Sequence, residues 1–353
     1  MEVIIKLLPY VLAFVVTLGM IRLLIPVADS TGLVDRPTDR KSHRGLVPLV
    51  GGMAMFSGFA FAVLVLGSQP QVHERAMLAG ALVLVIAGVL DDYHELPPHT
   101  RLLWQILSAA LMTLWGGVVI HRLGAILWPH DVLGLSFLAI PVTIFAVVGG
   151  INALNLSDGL DGLAGGLALI ALVPGGYLAL QGGATDLAPF IGVIVCCLVA
   201  FWLVNMRFPW QRRARVFMGD SGSMFVGFLI AWILADLSQP PRQVLTPVTA
   251  LYLFAVPLMD TIFVIARRLR NGLSPMAADR MHLHHMLLDL GLTPVKAVIA
   301  ILGLAAILAG LGLAGLCTGV PEFVMFYGFL VLFGVFFVTC NRLRRRIDQA
   351  AQD

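Results

Sequence analysis

Residues 134–163 read Gly134-Leu-Ser-Phe-Leu-Ala-Ile-Pro-Val-Thr-Ile-Phe-Ala-Val-Val-Gly-Gly-Ile-Asn152-Ala-Leu-Asn155-Leu-Ser-Asp158-Gly-Leu-Asp161-Gly-Leu. An apolar run leads directly into two amides and two carboxylates. Carboxylates are costly in hydrocarbon and usually functional where they occur at a membrane. The interleaved glycines let the backbone approach a bulky ligand. The stretch therefore predicts a transmembrane helix that ends in a polar site at the membrane–water boundary, suited to a metal and phosphates.

The rest of the chain has the composition of an integral membrane protein. Of its 353 residues, 59% are hydrophobic and only 12% are charged, whereas soluble proteins carry about 25% charged residues. A helical span needs about 20 apolar residues. We therefore predict an all-α polytopic membrane protein, a single domain over residues 1–353, with about eleven transmembrane helices. The predicted spans are 3–25, 48–67, 76–90, 102–119, 134–153, 163–180, 187–205, 222–238, 244–266, 294–317 and 322–340.

The basic residues are distributed unequally between alternate loops. One set of loops and the C-terminal tail hold Arg36, Arg40, Lys41, Arg44, Arg101, Arg207, Arg212, Arg213, Arg215, Arg267, Arg268, Arg270, Arg280, Arg342, Arg344, Arg345 and Arg346. The opposite side holds only Lys6, Arg75, Arg122 and Arg242. The positive-inside rule then places the first set and the C-terminus in the cytoplasm and the N-terminus outside. The net charge of +3 suits anionic headgroups and substrates and gives no reason to expect nucleic acid.

With this topology the polar motifs gather on the cytoplasmic side, which predicts a cytoplasmic-face active site. They are Asp91-Asp92, Asn152 to Asp161, Phe217-Met-Gly-Asp220-Ser-Gly, Asp279-Arg280-Met-His282-Leu-His284-His285 and the loop around Lys41 to Gly52. Each has an ordinary alternative. The acidic pair and Asp220 could merely cap helices, the Asn–Asp stretch could be a turn, and the histidines could form a solvated loop or a zinc site. The chain would have no functional site only if all of these ordinary alternatives applied at once.

The residue types indicate the chemistry. Carboxylates and an amide oxygen are the hard ligands that Mg²⁺ prefers, commonly with substrate phosphates completing its shell. Arginines and the helix N-terminus at Asp220–Ser223 would bind further phosphate oxygens. A cytoplasmic diphosphate substrate, a metal and a lipid acceptor follow from this set.

The same motifs resemble the polyprenyl-phosphate N-acetylhexosamine-1-phosphate transferase superfamily, and the resemblance covers nearly the whole chain. Within it, the chain is similar to the branch that uses UDP-GlcNAc and undecaprenyl phosphate. Signs of that branch are Val34-Asp-Arg-Pro, Gly45-Leu-Val-Pro48-Leu-Val-Gly51-Gly52, Thr246-Pro-Val-Thr-Ala-Leu and Val256-Pro-Leu-Met-Asp260. The muramoyl-pentapeptide branch typically has three consecutive histidines, whereas here Leu283 separates His282 from His284.

The resemblance implies a reaction and a set of roles. UDP-GlcNAc and undecaprenyl phosphate would give GlcNAc-diphospho-undecaprenol and UMP at the bacterial inner membrane. The implied metal ligands for Mg²⁺, with Mn²⁺ as a substitute, are Asp220 and its helper Asn155. The implied substrate contacts are Phe217 and Asp161 on uracil, Arg44 near the nucleotide, Asp91, Asp92 and Arg101 at the lipid phosphate, Asp158 beside the sugar diphosphate, and His282, His284 and His285 on sugar and phosphate.

The acceptor chemistry leaves little work for a general base. The second pKa of a phosphate monoester is about 6, so the acceptor is already mostly dianionic at pH 7. We expect Asp91 or Asp92 to position the acceptor or metal in a direct displacement. A covalent intermediate on Asp158 is the alternative. Asp260, an acid within the ninth span, stays outside the predicted core site, because a structural pairing explains it equally well.

Other functions remain open from sequence alone. A sibling transferase could use UDP-GalNAc, UDP-FucNAc or UDP-QuiNAc. An ion-coupled transporter would show repeats and a midplane site, and neither is evident here. O-antigen and common antigen are equally compatible destinations for the product. A homodimer is compatible with the resemblance.

Overall fold

The computed structural model describes residues 2–35, 45–66, 72–129, 131–275 and 280–350. Arg44 and Asp279 of the predicted site lie outside these residues. Within them the α-helices are α1 Glu2–Thr31, α2 Gly51–Leu66, α3 Val72–His94, α4 Pro98–Ala110, α5 Ala139–Ser157, α6 Leu163–Gln181, α7 Ala188–Asn205, α8 Gly219–Leu237, α9 Pro247–Leu253, α10 Ala255–Arg270, α11 Leu283–Asp289, α12 Pro294–Cys317 and α13 Glu322–Ala350. A two-residue antiparallel pair, β1 Val34–Asp35 and β2 Val47–Pro48, precedes α2.

The predicted fold class is confirmed, and the structure revises the number of spans. In the described part of the chain, eight helices are long and apolar enough to cross a membrane, or nine when α9 and α10 count as one broken span. The predicted spans 48–67 and 102–119 fall on helices that do not reach this standard. Helix α2 has 16 residues. Helix α4 continues through a π-helical turn, Leu111–Trp115, and buries the polar side chains of Gln105 and Ser108.

The predicted span 244–266 is two helices, not one. Helices α9 and α10 meet at an angle of 81°. The break follows from Pro257 in the first turn of α10, since a proline lacks the N–H and its ring clashes with the carbonyl four residues earlier. That carbonyl belongs to Leu253, the last residue of α9. The bend turns α10 away from the course that a straight span would follow.

Helix α8 forms the centre of the bundle. Every residue from Ser221 to Leu237 except Ala231 is buried. A helix that is apolar on all sides belongs in the interior of a large protein or membrane bundle. Its neighbours include α2, α3, α5 and α6. The motif that begins at Phe217 is therefore carried by the most enclosed element of the protein.

Glycines bring two neighbouring helices unusually close to the N-terminal turn of α8. A Cβ atom added at Gly88 of α3 would lie 2.2 Å from the Cα of Ser221. One added at Gly52 of α2 would lie 2.2 Å from the backbone nitrogen of Gly222. No larger residue fits at either position without moving backbone. These contacts fix where the first turn of α8 lies.

The other end of α8 is held by a separate ionic network. Arg242 donates from Nη1 to Oδ1 of Asp236 at 2.8 Å and from Nε to Oδ1 of Asp186 at 3.3 Å. The Arg242 guanidinium lowers the pKa of Asp186 below its usual range. At the other carboxylate oxygen of Asp236, Oδ2, Nε2 of His73 lies at a distance of 3.1 Å. This network ties α3 and the loop after α8 together, far along the helix from Asp220.

Candidate active site

The candidate site is built around the first turn of α8, where Asp220 meets Asn155. Nδ2 of Asn155 lies 2.5 Å from Oδ1 of Asp220 and 2.9 Å from Oγ of Ser223. Asn155 stands in the last turn of α5, so one amide joins α5 to α8. The two residues expected to act together on a metal are thus in direct contact.

Asp92 supports this turn from α3. Its Oδ1 accepts the backbone N–H of Asp220 at 2.9 Å, and its Oδ2 accepts that of Ser221 at 3.4 Å. The first N–H groups of a helix have no partner within the helix. Met218, the residue at the N-cap position, makes no capping hydrogen bond. Asp92 therefore does from another helix what an N-cap residue ordinarily does.

Asp91 faces a different direction and has different partners. Its Oδ2 accepts a hydrogen bond from Nη1 of Arg101 at 3.2 Å, and its Oδ1 accepts the backbone N–H of Leu96 at 2.7 Å. The carboxyl is buried, with 4% of the residue exposed. Adjacent residues on a helix point about 100° apart. Because of this separation the two aspartates bond to different partners.

Asp158, which lies outside the membrane spans, has a carboxyl group with a strongly raised pKa. Burial raises its pKa to about 7, with added repulsion from the nearby carboxylates of Asp220 and Asp161. Because Asp158 directly follows α5, the loop carries it to the α8 end of the site. Here carboxylates accumulate near one another, an arrangement that a bound cation would stabilise.

Asp161 and Phe217 are fixed to the framework of the site. Oδ2 of Asp161 accepts Nε of Arg207 at 2.6 Å and the backbone N–H of Ala214 at 3.1 Å. The main chain of Phe217 bonds to Pro48 through its N–H and to Gly51 through its carbonyl. Both residues thus connect the loop before α8 to its surroundings. Their expected contacts with uracil stay predictions.

The histidine loop reaches the same end of the bundle. A Cβ atom added at Gly159 would lie 2.1 Å from Nε2 of His284, so this loop packs against the one after α5. His284 is buried, and burial together with the nearby His285, His282 and Arg280 lowers its pKa well below the usual value. The pKa of His285 is also lowered, chiefly by burial.

Asp260 anchors the histidine loop. Its Oδ2 lies 2.8 Å from Nδ1 of His282, and its Oδ1 accepts the backbone N–H of Leu283 at 2.8 Å. Both Asp260 and His282 are 4% exposed. Nε2 of His282 is buried and has no hydrogen-bond partner in the described part of the chain. The intramembrane acid is therefore part of the site's support.

A large cavity extends from this cluster between α4, α5, α9 and α10. Its volume is about 930 Å³ and its walls are mostly apolar. Its polar lining is Arg101, Gln105, Asn152, Asn155, Ser238, Thr261, Arg268 and His282. Phe145 and Ile262, which also line it, are 79% and 49% exposed, so the cavity opens sideways between α5 and α10. An apolar chain could enter there with a charged head among the arginines.

Comparison with known proteins identifies the family. The glycosyl transferase family 4 profile matches residues 75–238. An undecaprenyl-phosphate alpha-N-acetylglucosaminyl 1-phosphate transferase of Yersinia pestis is 39% identical over 308 residues, covering 87% of this chain and 84% of that protein. Proteins of the same description from Escherichia coli O157:H7 and Haemophilus influenzae are 38% and 37% identical, covering 87% and 91% of this chain and 83% and 90% of their own lengths. The chain belongs to glycosyl transferase family 4.

The family 4 assignment makes this protein a phosphoglycosyl transferase of the membrane. One end of its helix bundle holds the predicted site residues that the structure describes, namely Asp91, Asp92, Arg101, Asn155, Asp158, Asp161, Phe217, Asp220, His282, His284 and His285. The sequence predicted this convergence from topology. It missed Gln105 and Arg268, and it left Asp260 out.

The missed residues had weak signals in the sequence. Arg268 stands in a basic run that suggested only topology, yet it is buried and donates from Nη1 to the carbonyl of Pro275 at 2.6 Å. Gln105 is a lone polar residue in α4. Its Oε1 accepts Nδ2 of Asn152 at 2.7 Å, which joins α4 to α5 beside the cavity. Burial of a long charged or amide side chain is the property that would have distinguished them.

The residues of this family 4 site suit Mg²⁺ better than a metal that needs a full protein cage. Among the described residues, no three His, Cys, Asp or Glu side chains form a ready-made metal-binding group. Magnesium is typically bound by one or two carboxylates, with waters and substrate phosphates as its other ligands. Asp220 supplies a hard oxygen beside Asn155, and the buried Oγ of Ser221 has no hydrogen-bond partner within the described ranges. The donor chemistry therefore fits the ion.

Proposed function

We propose that this protein transfers N-acetylglucosamine 1-phosphate from UDP-GlcNAc to undecaprenyl phosphate, giving GlcNAc-diphospho-undecaprenol and UMP. The observation that supports this proposal is that a pair of polar residues and an apolar cavity meet at the same position. Asp220 and Asn155 meet at a helix N-terminus, and a cavity lined with apolar side chains reaches Asn155 from the bilayer side. The relatives carry the name of the same reaction.

The cavity supports a polyprenyl phosphate as the acceptor. A long isoprenoid chain is apolar, and the sideways opening between α5 and α10 admits it from the hydrocarbon. At the inner end, Arg101 and Arg268 line the same cavity. Arginine binds phosphate oxygens through its planar fork of N–H donors. The acceptor phosphate would therefore lie near these two cations, with its chain along the apolar wall.

In the proposed step an oxygen of undecaprenyl phosphate forms a bond to the sugar-linked phosphorus of UDP-GlcNAc. The bond from that phosphorus to the bridging oxygen breaks, and UMP leaves with the electron pair. The dianionic acceptor has little proton left to lose, so charge neutralisation and in-line placement are the main demands. Arg101 would supply positive charge, with Asp91 holding its guanidinium at 3.2 Å.

The other carboxylates have supporting roles in this proposal. Asp92 would fix the α8 turn, and therefore the place of Asp220. Asp220 and Asn155 would hold Mg²⁺, which neutralises diphosphate charge when bound. Phe217 and Asp161 would form the uridine side, and His282, His284 and His285 the sugar and phosphate side. Asp158 would stand beside the diphosphate in a direct displacement.

The proposal places the site at the cytoplasmic face of the bacterial inner membrane. The arginine-rich loops and the C-terminal tail lie with the site by the positive-inside rule. The UDP-sugar would arrive from the cytoplasm and the lipid from the bilayer. The N-terminus would be periplasmic.

Release of UMP by purified protein tests the proposal. The assay contains undecaprenyl phosphate, Mg²⁺ and, in separate reactions, UDP-GlcNAc, UDP-GalNAc, UDP-FucNAc or UDP-QuiNAc. We expect release with UDP-GlcNAc, its loss with a chelator, and its loss in Asp220→Ala. Asp236→Asn, at the far end of α8, is the matched control and should retain turnover. UMP release with only a different UDP-sugar would identify that sugar nucleotide as the donor. No UMP release with any of them would overturn the proposal.

A further inference from the structure

Asp260 and His282 form a buried pair whose geometry leaves one ring nitrogen available. As a carboxylate, Asp260 can only accept hydrogen bonds. It accepts the Leu283 N–H through Oδ1, while its Oδ2 lies 2.8 Å from Nδ1 of His282. The proton of a neutral His282 ring is therefore placed on Nδ1. Nε2 then carries a lone pair, is buried and has no partner among the residues that the structure describes.

The ring that carries this nitrogen borders the cavity, at the polar end where the acceptor phosphate and the sugar diphosphate would meet. His282 lines the 930 Å³ cavity together with Arg101 and Asn155. The ring also stacks in parallel with His284, at 5.9 Å between centroids and 10° between planes. With Asp260 on one edge and His284 on one face, the ring has little freedom to rotate. A buried polar atom without a partner costs free energy, which a ligand hydrogen bond would recover.

We propose that Asp260 is the positioning residue of His282, fixing its ring and tautomer so that Nε2 contacts the UDP-sugar. This inference rests on the proposed function. In it, His282 presents an acceptor to an N–H or O–H of the sugar nucleotide. Asp260 itself touches no substrate, because both of its oxygens are engaged by the histidine loop. The relationship resembles the carboxylates that orient histidines in many enzymes, where loss of the orienting group changes the tautomer.

Asp260→Asn separates this role from a structural one. An amide has one oxygen and one NH₂ group. If the oxygen keeps the Leu283 N–H, the NH₂ group faces Nδ1 of His282. The ring can then accept there and move its proton to Nε2. The loop would keep its two hydrogen bonds while the available nitrogen changes from an acceptor to a donor.

Kinetics of four proteins test the proposal: wild type, Asp260→Asn, His282→Gln and the double variant. Loss of an outer-shell partner commonly costs about 10- to 100-fold, and we expect a decrease of that size in kcat/KM for UDP-GlcNAc in Asp260→Asn. The KM for undecaprenyl phosphate should change by less than about twofold. In the His282→Gln background, Asp260→Asn should have no further effect. Asp236→Asn, another buried carboxylate, should leave kcat/KM unchanged.

A second measurement does not depend on turnover. With ring-¹⁵N-labelled histidine, the His282 signal, assigned by its absence in His282→Gln, should report a proton on Nδ1 in wild type and on Nε2 in Asp260→Asn. An unchanged tautomer, or an equal loss of activity in both backgrounds, would overturn the positioning role. If wild type itself transfers no sugar, the proposed function fails, and the NMR result alone decides whether Asp260 sets the tautomer.

Discussion

Asp92 of α3 caps α8 at Asp220, with 2.9 Å between its Oδ1 and the Asp220 backbone nitrogen. A carboxylate at a helix N-terminus satisfies unpaired N–H groups and interacts favourably with the helix dipole. The sequence presents Asp91-Asp92 as one acidic motif. In the structure Asp91 accepts a hydrogen bond from Arg101, whereas Asp92 caps the N-terminus of α8.

Removal of this cap should weaken both fold and activity. Loss of an N-cap costs about 0.5–2 kcal/mol, and Asp92→Ala should lower the thermal midpoint of the purified protein accordingly. Because Asp220 stands on the released turn, the Mg²⁺ concentration needed for half-maximal UMP release should rise. Asp91→Ala, measured in parallel, should leave the Mg²⁺ requirement near that of wild type and raise the KM for undecaprenyl phosphate. An unaltered Mg²⁺ requirement in Asp92→Ala would contradict the capping role.

Gly88→Ala should disturb the site without touching any of its polar residues. The added methyl group would lie 2.2 Å from the Cα of Ser221, which is backbone and cannot rotate away. Overpacking of a core typically costs about 1–3 kcal/mol. We expect a lower thermal midpoint and a large loss of UMP release. Gly310→Ala in α12 is the matched control, since a Cβ atom there meets no described atom within 4 Å. Wild-type stability and turnover in Gly88→Ala would show that α3 and α8 separate easily.

Phe217→Ala should weaken UDP-sugar use selectively. Stacking of a base on an aromatic side chain contributes about 1–3 kcal/mol, so the KM for UDP-GlcNAc should rise by roughly 5- to 150-fold while the KM for undecaprenyl phosphate stays the same. Phe217→Tyr keeps the ring and should restore most of the affinity. Steady-state kinetics with each substrate varied in turn will show the difference. Equal changes in both KM values would place Phe217 outside the uridine pocket.

His284 should make the folded protein sensitive to acid. Its folded pKa lies well below 6.5, so between these values the unfolded chain binds a proton that the folded chain does not. Stability contributed by neutral His284 is therefore complete above pH 6.5 and is lost as the pH falls below it. Between pH 7.5 and 5.5 the loss reaches at most about 1.4 kcal/mol. The thermal midpoint of wild type should fall more over this range than that of His284→Gln. Parallel curves for the two proteins would exclude a buried neutral His284.

Topology made much of the site predictable. Motifs at the ends of alternate spans must meet at one membrane face, which is why Asn155 and Asp220 could be placed together from sequence. The break at Pro257 also had a visible signal, since a proline inside an apolar run can kink or break a helix, although α1 and α6 continue through Pro9, Pro26 and Pro174. The predicted span 244–266 took no account of this signal, and the structure divides it into two helices that meet at 81°.

Other relationships depend on how helices rotate about their axes. Nothing in Asp91-Asp92 alone tells which carboxyl meets α8, because that depends on the close packing at Gly88. The partner of Asp260 lies 22 residues along the chain, at His282. Gln105 and Asn152 are 47 residues apart. Such pairings are set by tertiary packing, and a single sequence carries no pattern that specifies them.

The sideways opening of the cavity separates the routes of the two proposed substrates. A water-soluble nucleotide and a membrane lipid would reach the same phosphates from perpendicular directions, and neither would block the other's path. The lipid product, however, would have to leave through the opening by which the next lipid enters. Accumulated product should therefore compete with undecaprenyl phosphate, so the pace of the enzyme in a cell would depend on how quickly the next step clears the bilayer.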